Sequence, residues 1–151
     1  MRLTSLCYIE KDNKYLMLHR VKKKVDVNKG KWVGIGGGFD DGESPHECAV
    51  REIYEETGLK AVNPRLRGIV TFVSDKWENE QMFLFTVTEF SGEIKECDEG
   101  DLAWVEKDKV KELNIWEGDK IFLEMLEKRE DFFTLKFVYE GDRLASYNLE
   151  Q

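Results

Sequence analysis

The stretch from Trp32 to Leu59 constrains this chain more than any other part of it. It opens on a strand-like run, Trp32 to Phe39, that holds Gly34, Gly36, Gly37 and Gly38. Glycines this dense in an extended run indicate close backbone approach to another group, or unusual dihedrals. A helix is predicted over Ser44 to Gly58. Ser44 stands at the N-cap, Pro45 fits the first helical position, and Glu47 completes a capping box. Gly58 sits where a glycine ends a helix. Ala49, Val50, Ile53 and Thr57 fall on one face and are its expected buried side. The same helix carries Glu52, Glu55 and Glu56. Positions i, i+3 and i+4 lie together, so these carboxylates repel one another. A solvated acidic face is one common outcome of that pattern. A hard divalent cation held by oxygen ligands is the other. The glycines ahead of the helix permit a backbone carbonyl to reach the same ion. Arg51 can pair with Glu43 at the helix start or orient a neighbouring carboxylate.

Around this unit the sequence reads as strands. Leu3–Glu10 and Lys14–Val21 form a hairpin across Lys11-Asp12-Asn13. Further strands are expected at Leu66–Val73, Gln81–Phe90 and Leu102–Glu106. A second helix runs from Asp119 to Arg129, with Ile121, Phe122, Met125 and Leu126 as its apolar stripe. Phe132–Tyr139 and Arg143–Asn148 close the chain around Glu140-Gly141-Asp142. The expected class is α+β, an α/β/α sandwich on a mixed sheet. The chain has 151 residues, two prolines (Pro45 and Pro64), no repeat and no linker, so one domain over residues 1–151 is expected.

Charge narrows the partners. There are 31 acidic residues against 23 Lys plus Arg, a net charge of -8. Such a chain is a poor ligand for duplex nucleic acid or an anionic membrane. Phosphate binding then needs a metal or a local basic patch. Lys22 to Lys31 is the one basic loop, either a solvated surface or a lip that draws in an anionic substrate. No apolar run approaches the ~20 residues of a membrane helix. Met1 to Lys11 lacks the features of a secretory signal. Cys7, Cys48 and Cys97 are odd in number and widely spaced, which argues against disulfides and a cysteine zinc site, so a cytoplasmic location is expected.

The segment Gly37, five residues, Glu43, seven residues, Arg51-Glu52-Ile53-Tyr54-Glu55-Glu56-Thr57-Gly58-Leu59 resembles the Nudix box at every specified position. The strand order around it also resembles the Nudix fold. The resemblance implies hydrolysis of a nucleoside diphosphate linked to a further group, with Mg²⁺ or Mn²⁺. Metal charge would neutralise the phosphate chain and a carboxylate would take the proton of an attacking water. Carried over, the metal ligands are Gly36, through its carbonyl, with Glu52, Glu55 and Glu56. Glu99, in an acidic turn, stands where many members add a glutamate, and is otherwise a solvated turn residue. Glu52 is the favoured base, with Arg51 beside it and Glu99 as a further catalytic carboxylate.

The stretch Asn114 to Asp119 and the closing hairpin resemble MutT-like enzymes that hydrolyse oxidised purine nucleoside triphosphates. There a tryptophan stacks on the base and an aspartate bonds its edge. Trp116 and Asp119 match, with Lys23 and Gly37 as further substrate contacts. Trp116 can equally be a core aromatic, and Asp119 a helix cap. An ionised Asp119 would accept from the N1–H and N–H₂ of guanine, which favours 8-oxo-dGTP, released as monophosphate and pyrophosphate. Two positions depart from the pattern. Val33 replaces an asparagine that contacts the base, and Gly118 replaces a second aspartate. The alternatives are another nucleoside-diphosphate substrate or a nucleotide-sensing Nudix module that does not cut. The expected partner is a small nucleotide, and the chain is expected to be a monomer or homodimer.

Overall fold

In the computed structural model, which describes residues 1–150, strand β1 (Arg2–Lys11) is the axis of the fold. It is buried on both faces. Leu6 and Tyr8 point to one side, Cys7 and Ile9 to the other, as the two-residue period of a strand requires. After the turn at Asp12-Asn13, whose φ angles of 52° and 60° suit a tight hairpin, the chain returns as β2 (Lys14–His19). The glycine-rich run then forms two short strands, β3 (Trp32–Val33) and β4 (Ile35–Gly38). Helix α1 (Pro45–Thr57), β5 (Lys60–Val62), β6 (Arg65–Ser74), β7 (Glu80–Val87), β8 (Glu89–Ser91) and β9 (Asp101–Glu106) follow. The chain continues through α2 (Lys107–Val110), α3 (Glu117–Lys128), β10 (Phe133–Glu140) and β11 (Arg143–Glu150).

The main sheet has nine strands in the order β11-β10-β6-β7-β1-β2-β3, with β4 on β1 and β9 on β2; β5 and β8 form a separate pair. It is mixed: β1 runs parallel to β7, β10 parallel to β6, and the other pairs are antiparallel. The expected single strand Trp32–Phe39 is split because Val33 pairs with Leu18 of β2, whereas Ile35 to Gly38 pair with Cys7 to Thr4 of β1. Gln81–Phe90 is likewise divided, since β8 leaves β7 to pair with β5. Short elements with too few residues for a periodic signal, β5 and α2, escape the sequence pattern.

The sheet has a core on each face. Ala49 and Ile53 of α1 pack with Cys7, Ile9, Phe85 and Val87 on one. Phe122, Leu123 and Leu126 of α3 pack with Tyr8, Val70, Phe133, Leu135 and Phe137 on the other. This is the expected α+β sandwich. In α1 the buried side is Cys48, Ala49, Ile53, Glu56 and Thr57. Val50 stays exposed, because a 100° step past Ala49 carries it to the edge of that face.

The start of α1 is set by its own sequence. Ser44 Oγ accepts from the Glu47 amide at 3.1 Å, and Glu47 Oε1 accepts from the Ser44 amide at 2.9 Å. Gly58, at φ 82°, closes the helix by donating to the Tyr54 carbonyl. Removing the Ser44 hydroxyl orphans one helix N–H. Ser44→Ala should therefore cost about 1 kcal/mol and lower Tm by roughly 2–4 °C in thermal unfolding.

Candidate active site

Arg51 organises the acidic helix. Its Nε and Nη2 donate to the two carboxylate oxygens of Glu43 at 2.7 and 2.9 Å. Nη1 donates to Glu52 at 2.8 Å and to Glu55 at 3.1 Å, and Nη2 also reaches the Gly38 carbonyl at 2.9 Å. A planar guanidinium has five donors in a fixed fork, which is why arginine can tie loop, strand and helix together. Glu43 responds: hydrogen bonds from Arg51 and from the Asp40 amide hold its carboxyl down at about 2. Arg51 itself has no spare N–H to offer a substrate. Its place is behind the carboxylates.

The three helical glutamates divide. Glu52 and Glu56, one turn apart, face the glycine strand; Glu55 stays half exposed on the outside, held by Arg51. Gly37 makes room for Glu52: a Cβ there would lie 2.7 Å from the Glu52 carboxyl atoms. Glu56 Oε2 accepts from the Gly36 amide at 2.9 Å. Its other oxygen is buried without a hydrogen-bond partner. Burial raises the Glu56 pKa to about 10, and the adjacent Glu99 and then Glu52 add to the rise. Burial also works to raise Glu99, yet its contact with Glu56 and the cations Lys23 and Arg20 hold it below the usual range.

A buried carboxylate oxygen with no partner calls for a proton or a cation. The donors gathered here are oxygens, which suits Mg²⁺ or Mn²⁺. Among the described residues the carboxylates do not converge as a ready cluster of three ligands. Arg51 engages Glu52 and Glu55, while Lys23 (2.6 Å) and Arg20 (3.1 Å) engage Glu99. Small side-chain rotations away from these cations would be part of metal capture.

A cavity of about 450 Å³ is lined both by this acidic group and by side chains of the core that α3 covers. Glu52, Glu99, Gly36, Gly37 and Lys23 line its near end, and Val33, Trp116, Asp119, Phe72 and Tyr139 its far end. Arg20, Lys23 and Arg2 give the wall local positive charge in an acidic protein. Trp116 is buried. Its Nε1–H donates to Asn28 at 2.7 Å, Lys31 lies over its ring at 4.7 Å, and Tyr139 meets it edge-on at 5.0 Å.

Asp119 departs from expectation twice. It does not cap α3; Trp116 occupies the N-cap position, and Asp119 sits in the first turn. Nor is it an ordinary ionised carboxylate: burial pushes it up to about 8, against the pull of Lys31. Burial thus favours its protonated form, which can donate as well as accept. A preference for guanine built on acceptance alone needs an ionised Asp119, which burial disfavours. The absence of a second aspartate at Gly118 has a steric reason. A Cβ there would meet Phe137 at 2.5 Å and the Tyr139 hydroxyl at 2.8 Å, and that hydroxyl accepts from the Gly118 amide.

Comparisons with known proteins give the family and the fold. The family model for the NUDIX domain matches residues 2–126. The chain belongs to the Nudix family. It is 31% identical over 150 residues to YvcI, an uncharacterized Nudix hydrolase of Bacillus subtilis, covering 95% of this chain and 91% of that protein. It is 28% identical over 131 residues to the oxidized purine nucleoside triphosphate hydrolase of Danio rerio, covering 85% and 83% of the two chains. The crystal structure of the mutator MutT protein from Bacillus halodurans superposes with a TM-score of 0.88 at 32% identity, over 99% of this chain and 98% of that one. This Nudix hydrolase is thus MutT-like in sequence and fold. Members of the family generally use divalent ions such as Mg²⁺ or Mn²⁺.

Of the residues singled out in the Nudix sequence, seven line the cavity: Gly36, Gly37, Glu52, Glu99, Lys23, Trp116 and Asp119. Glu56 and Arg51 stand behind it, and Glu55 outside. Sequence reasoning missed Arg20, which joins Asp26 at 2.8 Å to Glu99 at 3.1 Å, and Tyr139, which shapes the far end. Arg20 falls at the end of an expected strand, and Tyr139 reads only as a core aromatic. Neither has a local signal.

Two outcomes follow from these contacts. Gly37→Ala places a methyl where the flexible Glu52 carboxyl lies, so hydrolysis should fall by roughly 10- to 100-fold through displacement of that carboxylate. Thermal unfolding should change little, because Glu52 can swing away. For Asp119, the buried carboxyl's contribution to stability is intact below its unfolded value of 3.8 and is lost as pH rises through about 8. Asp119→Asn, which cannot ionise, should therefore gain Tm relative to wild type progressively from pH 5 to pH 9. A difference independent of pH would contradict the buried, protonated state.

Proposed function

We propose that this Nudix hydrolase cleaves purine nucleoside triphosphates, oxidised ones such as 8-oxo-dGTP among them, to a nucleoside monophosphate and pyrophosphate. The single observation that supports this reading is the continuous cavity. One end offers carboxylates and cationic side chains to a phosphate chain, the other an aromatic wall and a buried polar handle to a flat base. The likeness to an oxidized purine nucleoside triphosphate hydrolase points the same way.

Gly36, Glu52, Glu56 and Glu99 would hold Mg²⁺ or Mn²⁺, with Glu55 on the outer side. A bound divalent ion would neutralise phosphate charge and lower the pKa of a nearby water. Glu52 would accept the proton of the attacking water. Its partial burial raises its pKa and strengthens it as a base, while Arg51 opposes the rise. Arg51 is the positioning residue for Glu52 and fastens the loop through Glu43. Lys23 and Arg20 would meet the phosphates once Glu99 turns to the metal. Trp116 would cover the base, a contact of about 1–3 kcal/mol.

Asp119 would read the base edge. Protonated, it can donate to an unprotonated ring nitrogen or accept from an N–H, so oxidised guanine and adenine nucleotides both fit. As pH passes about 8 the ionised form would favour guanine. Val33 offers no polar contact to the base, so discrimination between oxidised and normal purines should be modest.

The test is an assay of purified protein with Mg²⁺ and a panel of oxidised and normal nucleoside triphosphates, with products resolved by chromatography. Monophosphate and pyrophosphate should appear, EDTA should abolish turnover, and Glu52→Gln should lower kcat by roughly 10²-fold or more. Asp119→Ala should raise KM for purine nucleotides by roughly 10-fold and leave pyrimidines unaffected. Equal loss on every nucleotide, or cleavage only of other nucleoside-diphosphate compounds, would remove the purine assignment.

A further inference from the structure

Strand β11 ends the main sheet. Its inner edge pairs with β10, and among the described residues no strand pairs with its outer edge. An open edge of eight residues presents a row of unpaired N–H and C=O groups to any other strand. Natural edges are blunted by lysine, by proline, by charges placed mid-strand or by a bulge. The sequence Arg143-Leu144-Ala145-Ser146-Tyr147-Asn148-Leu149-Glu150 has no lysine, proline or mid-strand charge, and its bulge at Ala145 leaves the residues on either side of it paired with β10. Its only charges are at its two ends and of opposite sign, so the edge is neutral in a chain of net charge -8. Tyr147 is 57% and Leu149 39% exposed.

The bulge in β11 sets which side chains share a face. Val138 of β10 stands opposite Ser146, but the next residue, Tyr139, stands opposite Leu144, so Ala145 is extra. Leu144, Tyr147 and Leu149 consequently lie on one face, opposite Tyr139, Phe137 and Leu135, the face that α3 covers further in. Arg143, Ser146, Asn148 and Glu150 lie on the other.

We infer that β11 pairs antiparallel with β11 of a second copy about a two-fold axis through Tyr147. Tyr147 then faces its twin and Ser146 faces Asn148. Beyond the bulge, Leu144 faces Leu149 and Arg143 faces Glu150. Every pair lies on a common face, as strand pairing demands, and the axis produces each unlike pair twice. Two ion pairs and two leucine pairs bracket the tyrosines, and the two sheets become continuous. A parallel arrangement would set Arg143 against Arg143 and Glu150 against Glu150. The intrachain contact of Arg143 with Glu140, both largely exposed, is too weak to hold it back.

The test uses the full chain in sedimentation equilibrium at rising concentration, with thermal unfolding of each variant to verify folding. The wild type should pass from monomer to dimer. Arg143→Glu and Glu150→Arg should each raise the dissociation constant by roughly 10-fold or more, since the axis doubles each clash. The double charge swap should restore it. Tyr147→Cys should give a covalent dimer on mild oxidation, because Cys7, Cys48 and Cys97 are all buried. A wild type that stays monomeric at all concentrations would overturn the inference. So would a dimer indifferent to both single charge reversals, or a double swap no better than either one.

Discussion

The guanidinium of Arg51 is the contact on which the site depends. It joins the loop after β4 to α1 through Glu43, fixes the glycine strand through the Gly38 carbonyl, and aims Glu52 into the cavity. Without a cation at this point, Glu43, Glu52 and Glu55 would repel one another across two turns of helix and loop. A lysine would supply the charge but not the fork of donors. Arg51 thus converts an unfavourable acidic face into an ordered one.

Burial sets the remaining electrostatics. Glu56 stands behind the acidic end of the cavity and Asp119 lines the other end, and both are pushed toward their protonated forms by loss of water. The consequences differ with their neighbours. Glu56 sits beside Glu99 and Glu52, so a divalent cation is the partner that would relieve it. Asp119 sits among aromatic side chains with only Lys31 for charge, so burial favours its neutral, hydrogen-bonding form. The glycines follow the same logic of space. Gly37 admits a carboxylate, and Gly118 admits the Tyr139 hydroxyl.

Much of this was legible in the chain itself. The capping box at Ser44, the closing Gly58 and the Glu43–Arg51 pair are local, within fifteen residues, so sequence spacing carries them. The two apolar stripes gave the sandwich its helices. The alternation along the chain places the long strands to within a few residues, but it does not separate β3 from β4, because an extended run looks the same whichever neighbour it pairs with. Val50 lies one helical step beyond the buried face that the apolar spacing suggests. Arg20, Tyr139 and Asn28 left no trace as site residues, since each acts through a partner far away in sequence.

The sequence by itself determined the Nudix box, its helix, its acidic chemistry and the alternation that buries β1 on both faces, because these depend on neighbours along the chain. Only the tertiary structure decided that Glu52 and Glu56 face inward while Glu55 does not, that Glu99 and Lys23 meet at the cavity, and that burial raises the Asp119 carboxyl. Those properties arise from desolvation and from contacts between distant segments. A residue's pKa and its partners are set by what surrounds it in space, and spacing along the chain does not encode that.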